Sequence, residues 1–254
     1  MKDIKNTYNK PHLIILLLVF LACTGSQCHK KDKEIAPPET GSVTDVDGNI
    51  YKTIKIGSQW WMAEDLRVEH FSDGTDIAGV NGTLSNYPDT NKWAIPGNTQ
   101  ARFYEQDNTN FHLYNWYAVS GTHNIAPAGW RVPTDEDWKQ LEMQLGMSQA
   151  DADNVNWRGA NEGEKLKIEG SQGWNTFLNV WPTNESGFTA RAAGCVMFDG
   201  KLGDPGIRAT GFWWSSTSHA GNKAWYRHLD YKSAKTFRYY GPLSYGFSIR
   251  LVAI

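Results

Sequence analysis

Cysteine is scarce in this chain of 254 residues, which contains only Cys23, Cys28 and Cys195. Because a single cysteine remains past Cys28, an internal disulfide is excluded in the folded part of the chain. A lone cysteine in an exported protein is usually a small, buried, apolar residue. A reactive thiol would need electropositive neighbours, and the segment around Cys195 offers only Arg191. Cys195 is therefore predicted to lie in the core.

Clusters of basic residues are missing too, as are the residue patterns of common active sites. Without residues 1–22 the chain has 22 basic and 26 acidic residues, a net charge of −4. Phosphate binding needs clustered lysine and arginine, so nucleic acid is excluded as a partner. The seven histidines show no metal-ligand spacing, and the chain has no nucleophile elbow or phosphate loop. We expect a protein that is not an enzyme and has no cofactor.

Long apolar runs are lacking as well, and the longest clear one covers only nine residues, 13–21. A membrane span takes about 20 residues, whereas a short apolar run behind a basic start is typical of a signal peptide. The run ends in Ala22-Cys23, a small residue followed by cysteine. This pattern predicts a lipoprotein signal over residues 1–22, with lipid attached to Cys23. An ordinary secretory signal and cleavage before Cys28 are the alternatives.

The rest of the chain predicts one domain behind a tether. Residues 23–42 are polar, charged and proline-containing, which is typical of a flexible tether, and the domain is predicted over 43–254. A double hairpin is expected over 45–66, and a long surface excursion with little regular structure over 72–110. Further elements are predicted as a short helix within 148–157 and strands over 186–194, 212–217, 224–231 and 246–252.

The clearest single element is a helix of about twelve residues that begins at Thr134. Thr134 is a good N-cap, and the acidic residues 135–137 fill the first turn, where they face the positive end of the helix. Asp137 stands three residues after the cap, as in a weak capping box. Gly146 is the predicted stop. The apolar positions recur at helical spacing, at Trp138, Leu141 and Leu145.

Eight blocks of this chain resemble, in order, the Fibrobacter succinogenes major paralogous domain of lipoproteins in Bacteroidetes-type bacteria. The resemblance runs from about Val43 to Val252. It implies an α+β, C-type-lectin-like fold, related to formylglycine-generating enzymes, with small twisted antiparallel sheets, one or two helices and long loops. It also implies an outer-membrane lipoprotein of the cell envelope, periplasmic or surface-exposed. The blocks are residues 45–66, 73–75, 114–119, 129–138, 184–190, 213–217, 224–231 and 246–252.

Two apolar residues stand where many members of that family have cysteine. They are Ala126 and Leu251, as if a disulfide pair had been lost together. If this alignment holds, their Cα atoms lie within about 7 Å of each other, the limit for bridging. The oxidase relatives of this fold use a cysteine pair for their chemistry, so that activity does not transfer to a domain with one cysteine.

The predicted ligand site is an aromatic one. Side chains alternate between the two faces of a strand, so Trp213 and Trp214 should not both face the core. We expect Trp213 to be exposed, where it could stack on a sugar or contact a protein, and Trp214 to be buried. The residues expected to surround Trp213 with polar contacts are Asp199, Asp204, Arg208, Tyr226 and Arg227.

A calcium site is a weaker possibility. Asn184 and Glu185 offer hard oxygen ligands before a predicted strand, but they could equally hold the backbone of a turn. Taken together, the sequence predicts a non-enzymatic, lipid-anchored module that binds glycan or protein in adhesion or recognition. The alternatives are a structural envelope lipoprotein with no small ligand and, least favoured, a metal-dependent enzyme of the formylglycine-generating-enzyme-like fold.

Overall fold

The computed structural model describes residues 37–82, 101–105, 111–197 and 206–254, and the side chains of these residues except those of 80–82 and 101–105. All of the described residues belong to one compact unit, Pro37–Ile254. The predicted signal peptide, Cys23 and most of the predicted tether lie outside the described residues.

The described residues form twelve strands and four short helices. The strands are β1 (Thr40–Thr44), β2 (Ile50–Ile56), β3 (Gln59–Met62), β4 (Ala78–Gly82), β5 (Ala101–Glu105), β6 (His112–Tyr114), β7 (Trp130–Arg131), β8 (Asn156–Arg158), β9 (Thr210–His219), β10 (Lys223–Asp230), β11 (Thr236–Pro242) and β12 (Val252–Ala253). The helices are α1 (Trp116–Ser120), α2 (Asp135–Gln144), α3 (Gln149–Asp153) and α4 (Glu162–Leu166). None of these helices combines the length and the apolarity that crossing a bilayer requires.

The strands form three sheets in which antiparallel pairing dominates. Their orders are β1-β2-β3-β12-β7, β8-β11-β10-β9 and β4-β5-β6, and β4 with β5 is the one parallel pair between the named strands. The predicted α+β class is therefore confirmed. Because β4 and β5 lie within 72–110, the expectation of little regular structure there is wrong for these strands. Residues 83–100 and 106–110 lie outside the described residues.

The N-terminal double hairpin is confirmed. Asp45 stabilises its first turn, because Asp45 Oδ1 accepts hydrogen bonds from the backbone N–H of Asp47 and Asn49. The second turn follows β2 at Gly57, whose φ of 61° is easy only for glycine. β1 begins at Thr40, so the folded domain starts three residues before the predicted boundary at 43.

Helix α2 is the predicted helix, and its start is as expected. Thr134 accepts a hydrogen bond from the backbone N–H of Asp137, and the Asp137 carboxylate accepts one from the backbone N–H of Thr134, which completes a capping box. Arg131 donates to the same carboxylate at 2.5 and 2.8 Å. The helix has ten residues rather than twelve, and Gly146 follows its C-cap with a φ of 115°. The short helix predicted after it is confirmed as α3, capped by Ser148.

Two of the predicted strands are wrong or shortened. Residues 186–194 form no regular strand, because Gly187, Thr189 and Gly194 have φ values of 69°, 53° and 71°, which turn the chain out of the extended conformation. Of residues 246–252, only Val252 enters a strand, β12. In contrast, β11 was not predicted, although it pairs with β10 along six residues of each strand.

Strand β9 lies between two hydrophobic clusters. One contains Trp213 with Trp61 and Trp138, beneath α2. The other contains Trp214 with Phe247. Buried Cys195 belongs to this second cluster, so its predicted place in the core is confirmed. Ala126 and Leu251 are both buried in a third cluster, which contains Tyr51, Tyr114 and Ile249 among other residues.

Candidate functional site

Trp213 is not the exposed residue that strand alternation predicted. It is 1% exposed and Trp214 is 0% exposed, so both are buried. The two side chains do point to opposite faces of β9, as alternation requires. The prediction is wrong because both faces of β9 are covered, one by the cluster beneath α2 and the other by the cluster around Phe247.

The described members of the polar set expected around Trp213 do not form one site. Arg227 is 2% exposed and donates to Asp135 at 2.7 Å and to Glu142 at 2.9 Å, so the prediction that it contacts a ligand is wrong. Tyr226 is half-buried against Trp214, and burial raises the pKa of its hydroxyl.

Arg208 is exposed, and its guanidinium donates to the carbonyl of Ser171 at 2.7 Å. Asp199 and Asp204 lie outside the described residues. Among the described members of the predicted site, only Arg208 therefore lies in the open.

Asn184 has a structural role in the turn that precedes Thr189. Its Oδ1 accepts a hydrogen bond from the backbone N–H of Thr189 at 2.8 Å, and the neighbouring Glu185 is exposed. Across the described part of the chain, no group of three or more histidine, cysteine, aspartate or glutamate residues could hold a metal ion. The hydrogen bond to Thr189 is the one that the turn reading of Asn184 predicts.

A cleft of about 890 Å³ opens elsewhere, next to the N-terminal hairpin. Its walls come from β1 and β2, from the loop 63–67 that follows β3, and from the segment 187–191. Phe111, Ile168 and Arg250 also line it. We call this space the cleft. Clefts of about 300–1,000 Å³ with a few convergent polar groups are the usual form of small-ligand sites.

The buried side of the cleft contains an ion pair between Arg250 and Asp65, which is hydrogen-bonded to a core residue. Arg250 is 1% exposed and donates to Asp65 Oδ1 from Nη2 at 2.6 Å and from Nε at 2.8 Å. Trp213 donates to the same oxygen from Nε1 at 2.8 Å. Arg250 also bonds the carbonyls of Met62 and Phe188. Trp213 therefore supports the cleft from beneath, although it does not enter it.

The outer wall is a second ion pair. Arg67 donates to Glu64 Oε2 at 3.3 Å and to the carbonyl of Ile50 at 2.9 Å, and its guanidinium lies 4.3 Å from the centre of the Tyr51 ring. Glu64 Oε1 accepts the backbone N–H of Lys52 at 2.9 Å. Both acidic residues in the described lining of the cleft are thus bonded by arginine.

Thr189 lines the cleft in a conformation that L-residues rarely adopt. Its φ is 53°, which is a genuine outlier for a β-branched residue. Asn184 holds its N–H, and its hydroxyl donates to the carbonyl of Ala63. Gly187 precedes it at a φ of 69°, where a Cβ would lie 3.1 Å from Ile54. Sequence reasoning missed this feature because it assigned a strand to these residues.

Lys52 and Arg191 are the two exposed cations of the cleft. The Arg191 guanidinium lies 5.4 Å from the centre of the Phe111 ring, within cation–π range. Neither side chain has a carboxylate partner among the described residues. As far as residues 37–82, 111–197 and 206–254 are concerned, these two cations are free to face a ligand.

The fold and the cleft define a small α+β domain with a charged ligand-sized opening. Residues 54–253 match the model of the Fibrobacter succinogenes major domain. The chain belongs to that family, and the predicted resemblance is confirmed at this level. No curated protein and no solved structure gives a significant match to the chain.

Proposed function

We propose that this protein is a non-enzymatic recognition module of the cell envelope and that the cleft is its binding site. The observation that carries the proposal is Thr189, a strained residue at the wall of the cleft. A β-branched residue with positive φ costs of order 1–3 kcal/mol and persists only where the surroundings impose it. Such residues cluster at ligand sites, and here the surroundings that impose it are Asn184 and Ala63.

The size of the cleft favours a small ligand or the end of a polymer over a flat protein surface. A standard protein interface buries about 800 Å² on each partner and needs no cavity. In contrast, a space of about 890 Å³ suits a ligand of a few rings or residues. A glycan or a short segment of an envelope protein is the class of ligand that this space would take.

The fold that we propose for this function is C-type-lectin-like. A helix entered through Pro133 and Thr134 packs Trp138 against Trp61 of a small antiparallel sheet, with ring centroids 5.1 Å apart. This arrangement supports the likeness to the C-type-lectin fold, and the chain's membership of the family supports it too. The competing class is a structural envelope lipoprotein with no small ligand, and it differs from our proposal in a measurable way.

A binding array separates the two classes. The full chain in detergent micelles is applied to printed glycans and short peptides, together with two variants of the same edge strand. Thr40 and Thr44 are both exposed on β1, but only Thr40 lines the cleft. We expect specific hits for the native chain, their loss in Thr40→Trp, and their retention in Thr44→Trp. A chain without specific hits would be a structural component, and hits that survive Thr40→Trp would lie outside the cleft.

Attachment of the module to a membrane is part of the proposal. The apolar run that ends in Ala22-Cys23 supports lipid on Cys23, so Cys23→Ser should move the protein from the membrane fraction to the soluble fraction. Cys28→Ser is the matched control and should leave it in the membrane fraction. Because one acyl chain anchors only marginally, stable attachment requires a second one. Membrane retention of Cys23→Ser would contradict this placement.

A further inference from the structure

The charges of the cleft are unevenly compensated. The two carboxylates of its described lining are each bonded by an arginine, Asp65 by Arg250 and Glu64 by Arg67. Two cations, Lys52 and Arg191, have no carboxylate partner in the part of the chain that the structure describes. When the two ion pairs are subtracted, the described lining of the cleft therefore carries two positive charges that no described carboxylate compensates. An exposed cation with no carboxylate partner is available to a ligand, whereas a paired cation is already bonded within the protein.

We infer that the cleft takes an anionic saccharide, with a ring carboxylate bonded by Lys52 and Arg191. This inference rests on the proposed function and adds the chemical class of the ligand. Arginine binds carboxylates with two parallel hydrogen bonds, and lysine adds a point charge. Since Arg191 already lies over the ring of Phe111, less side-chain freedom is lost when it binds.

The two paired carboxylates distinguish a saccharide from an acidic peptide. Asp65 and Glu64 keep acceptor capacity, because an ionised carboxylate offers about four lone-pair sites. Sugar hydroxyl groups can donate hydrogen bonds to these carboxylates. One acidic sugar ring can therefore bond both the exposed cations and the paired carboxylates. Acidic side chains are acceptors only, so a peptide of consecutive glutamates could donate to these carboxylates only from its backbone N–H groups.

The apolar part of the lining fits the same class. Ile168 and Ile54 stand beside the polar residues of the cleft, and both belong to or pack on the core cluster beneath α2. Sugar rings have apolar faces and polar rims, so a lining that contains both kinds of residue matches them.

An array with matched pairs tests the inference. Each acidic saccharide, carrying a uronic or sialic acid, is printed beside its carboxyl-reduced form, and peptides of consecutive glutamates are printed as a third set. The full chain in detergent micelles should bind acidic forms about tenfold or more above their reduced partners, the ratio expected for a charged hydrogen bond. Raising the salt concentration should shrink that ratio, because the two cations are exposed.

Three substitutions give the readout by residue. Lys52→Gln and Arg191→Gln should each weaken binding of the acidic saccharides about tenfold and binding of the reduced forms much less. Lys232→Gln is the control, because Lys232 is exposed and lies outside the cleft. All three should melt close to the native temperature, since each removes one exposed charge and at most one cation–π contact.

The outcomes separate this inference from the function on which it rests. Equal binding of acidic and reduced forms that Thr40→Trp abolishes would overturn the anionic ligand and leave the cleft as a binding site. Binding of glutamate peptides in place of saccharides would overturn the saccharide. An array without specific hits would overturn both proposals.

Discussion

Two regions of this domain are rich in charged side chains. In one region the charges are buried and bonded to one another, whereas the other contains exposed cations. Beneath α2, the carboxylates of Asp135 and Glu142 and three arginines of the four-stranded sheet are all less than a tenth exposed and bonded to one another. In the cleft, Lys52 and Arg191 are exposed and have no carboxylate partner among the described residues. The buried charges hold elements together, whereas the exposed pair is available for binding. The three arginines are Arg158, Arg227 and Arg238.

Regular geometry brings the buried network together. Arg227 and Arg238 stand opposite each other in the β10–β11 register, so they share one face of the sheet. Asp135 and Glu142 are seven residues apart on α2, two helical turns along one face. Arg238 also donates to the carbonyls of Asp153 and Asn154 at 3.0 and 3.2 Å. These carbonyls help to compensate the extra positive charge of three arginines against two carboxylates.

The largest expected effect comes from breaking this network at Glu142. Glu142→Gln keeps the size of the side chain but leaves Arg158 and Arg227 without their shared carboxylate in a buried site. Removing one partner of a buried ion pair costs about 3–5 kcal/mol, and urea unfolding should show a loss of that size. The control is Glu136→Gln, which removes an exposed partner of Lys139 and should cost about 1 kcal/mol or less. Similar losses in the two variants would mean that burial does not set the value of these charges.

The two adjacent tryptophans of β9 should have an effect of similar size. Because both are buried, Trp213→Ala and Trp214→Ala should each lower the free energy of unfolding by about 3–5 kcal/mol. Strand alternation alone predicted this loss for Trp214 only. Thermal and urea unfolding of both variants check the correction, and a native-like stability of Trp213→Ala would restore the original assignment.

Trp213→Phe sharpens the link between core and cleft. The ring remains, but the hydrogen bond from Nε1 to Asp65 is lost. We expect a smaller loss of stability than in Trp213→Ala together with weaker binding of the array hits. Unchanged binding would show that Asp65 is held well enough by Arg250.

The parts of the fold that sequence could predict are those with local causes. Thr134 and Asp137 predict the start of α2, because a capping box involves only two residues that are three positions apart. The turns of the N-terminal hairpin are marked by glycine for the same reason. Cys195 was correctly assigned to the core because its neighbours gave no reason for a reactive thiol.

The site could not be predicted, because its causes are distant in sequence. The cleft joins Lys52, Asp65, Arg191 and Arg250, which only the folded chain brings together. Whether an arginine is paired depends on such distant partners. The residues next to Arg227 and Arg191 in sequence therefore do not reveal that Arg227 is buried in ion pairs and that Arg191 is exposed. Thr189 is a good strand former, and its positive φ follows from bonds to Asn184 and Ala63 rather than from its own preference.

The smallest expected effect is the response of the buried network to acid. Burial alone would raise the pKa of Asp135, but hydrogen bonds and charge from Arg238 and Arg227 outweigh it and lower the pKa from 3.8 to about 2. A carboxylate with a lowered pKa stabilises the fold above its unfolded pKa, and this contribution is lost as the pH falls toward the folded value. The contribution should be about 2 kcal/mol and should disappear between about pH 4 and pH 2.

Urea unfolding at pH 6, 4, 3 and 2 measures this loss, and Asp135→Asn isolates the residue responsible. The variant should be less stable at pH 6, because two buried arginines lose a charge partner, and it should lack this part of the acid response. The difference in stability between the native chain and the variant should therefore narrow as the pH falls. Lys52→Gln, which leaves the network intact, should keep the native pH profile. If Asp135→Asn also keeps it, the acid response belongs to other carboxylates and Asp135 is not the acid-sensitive member of the network.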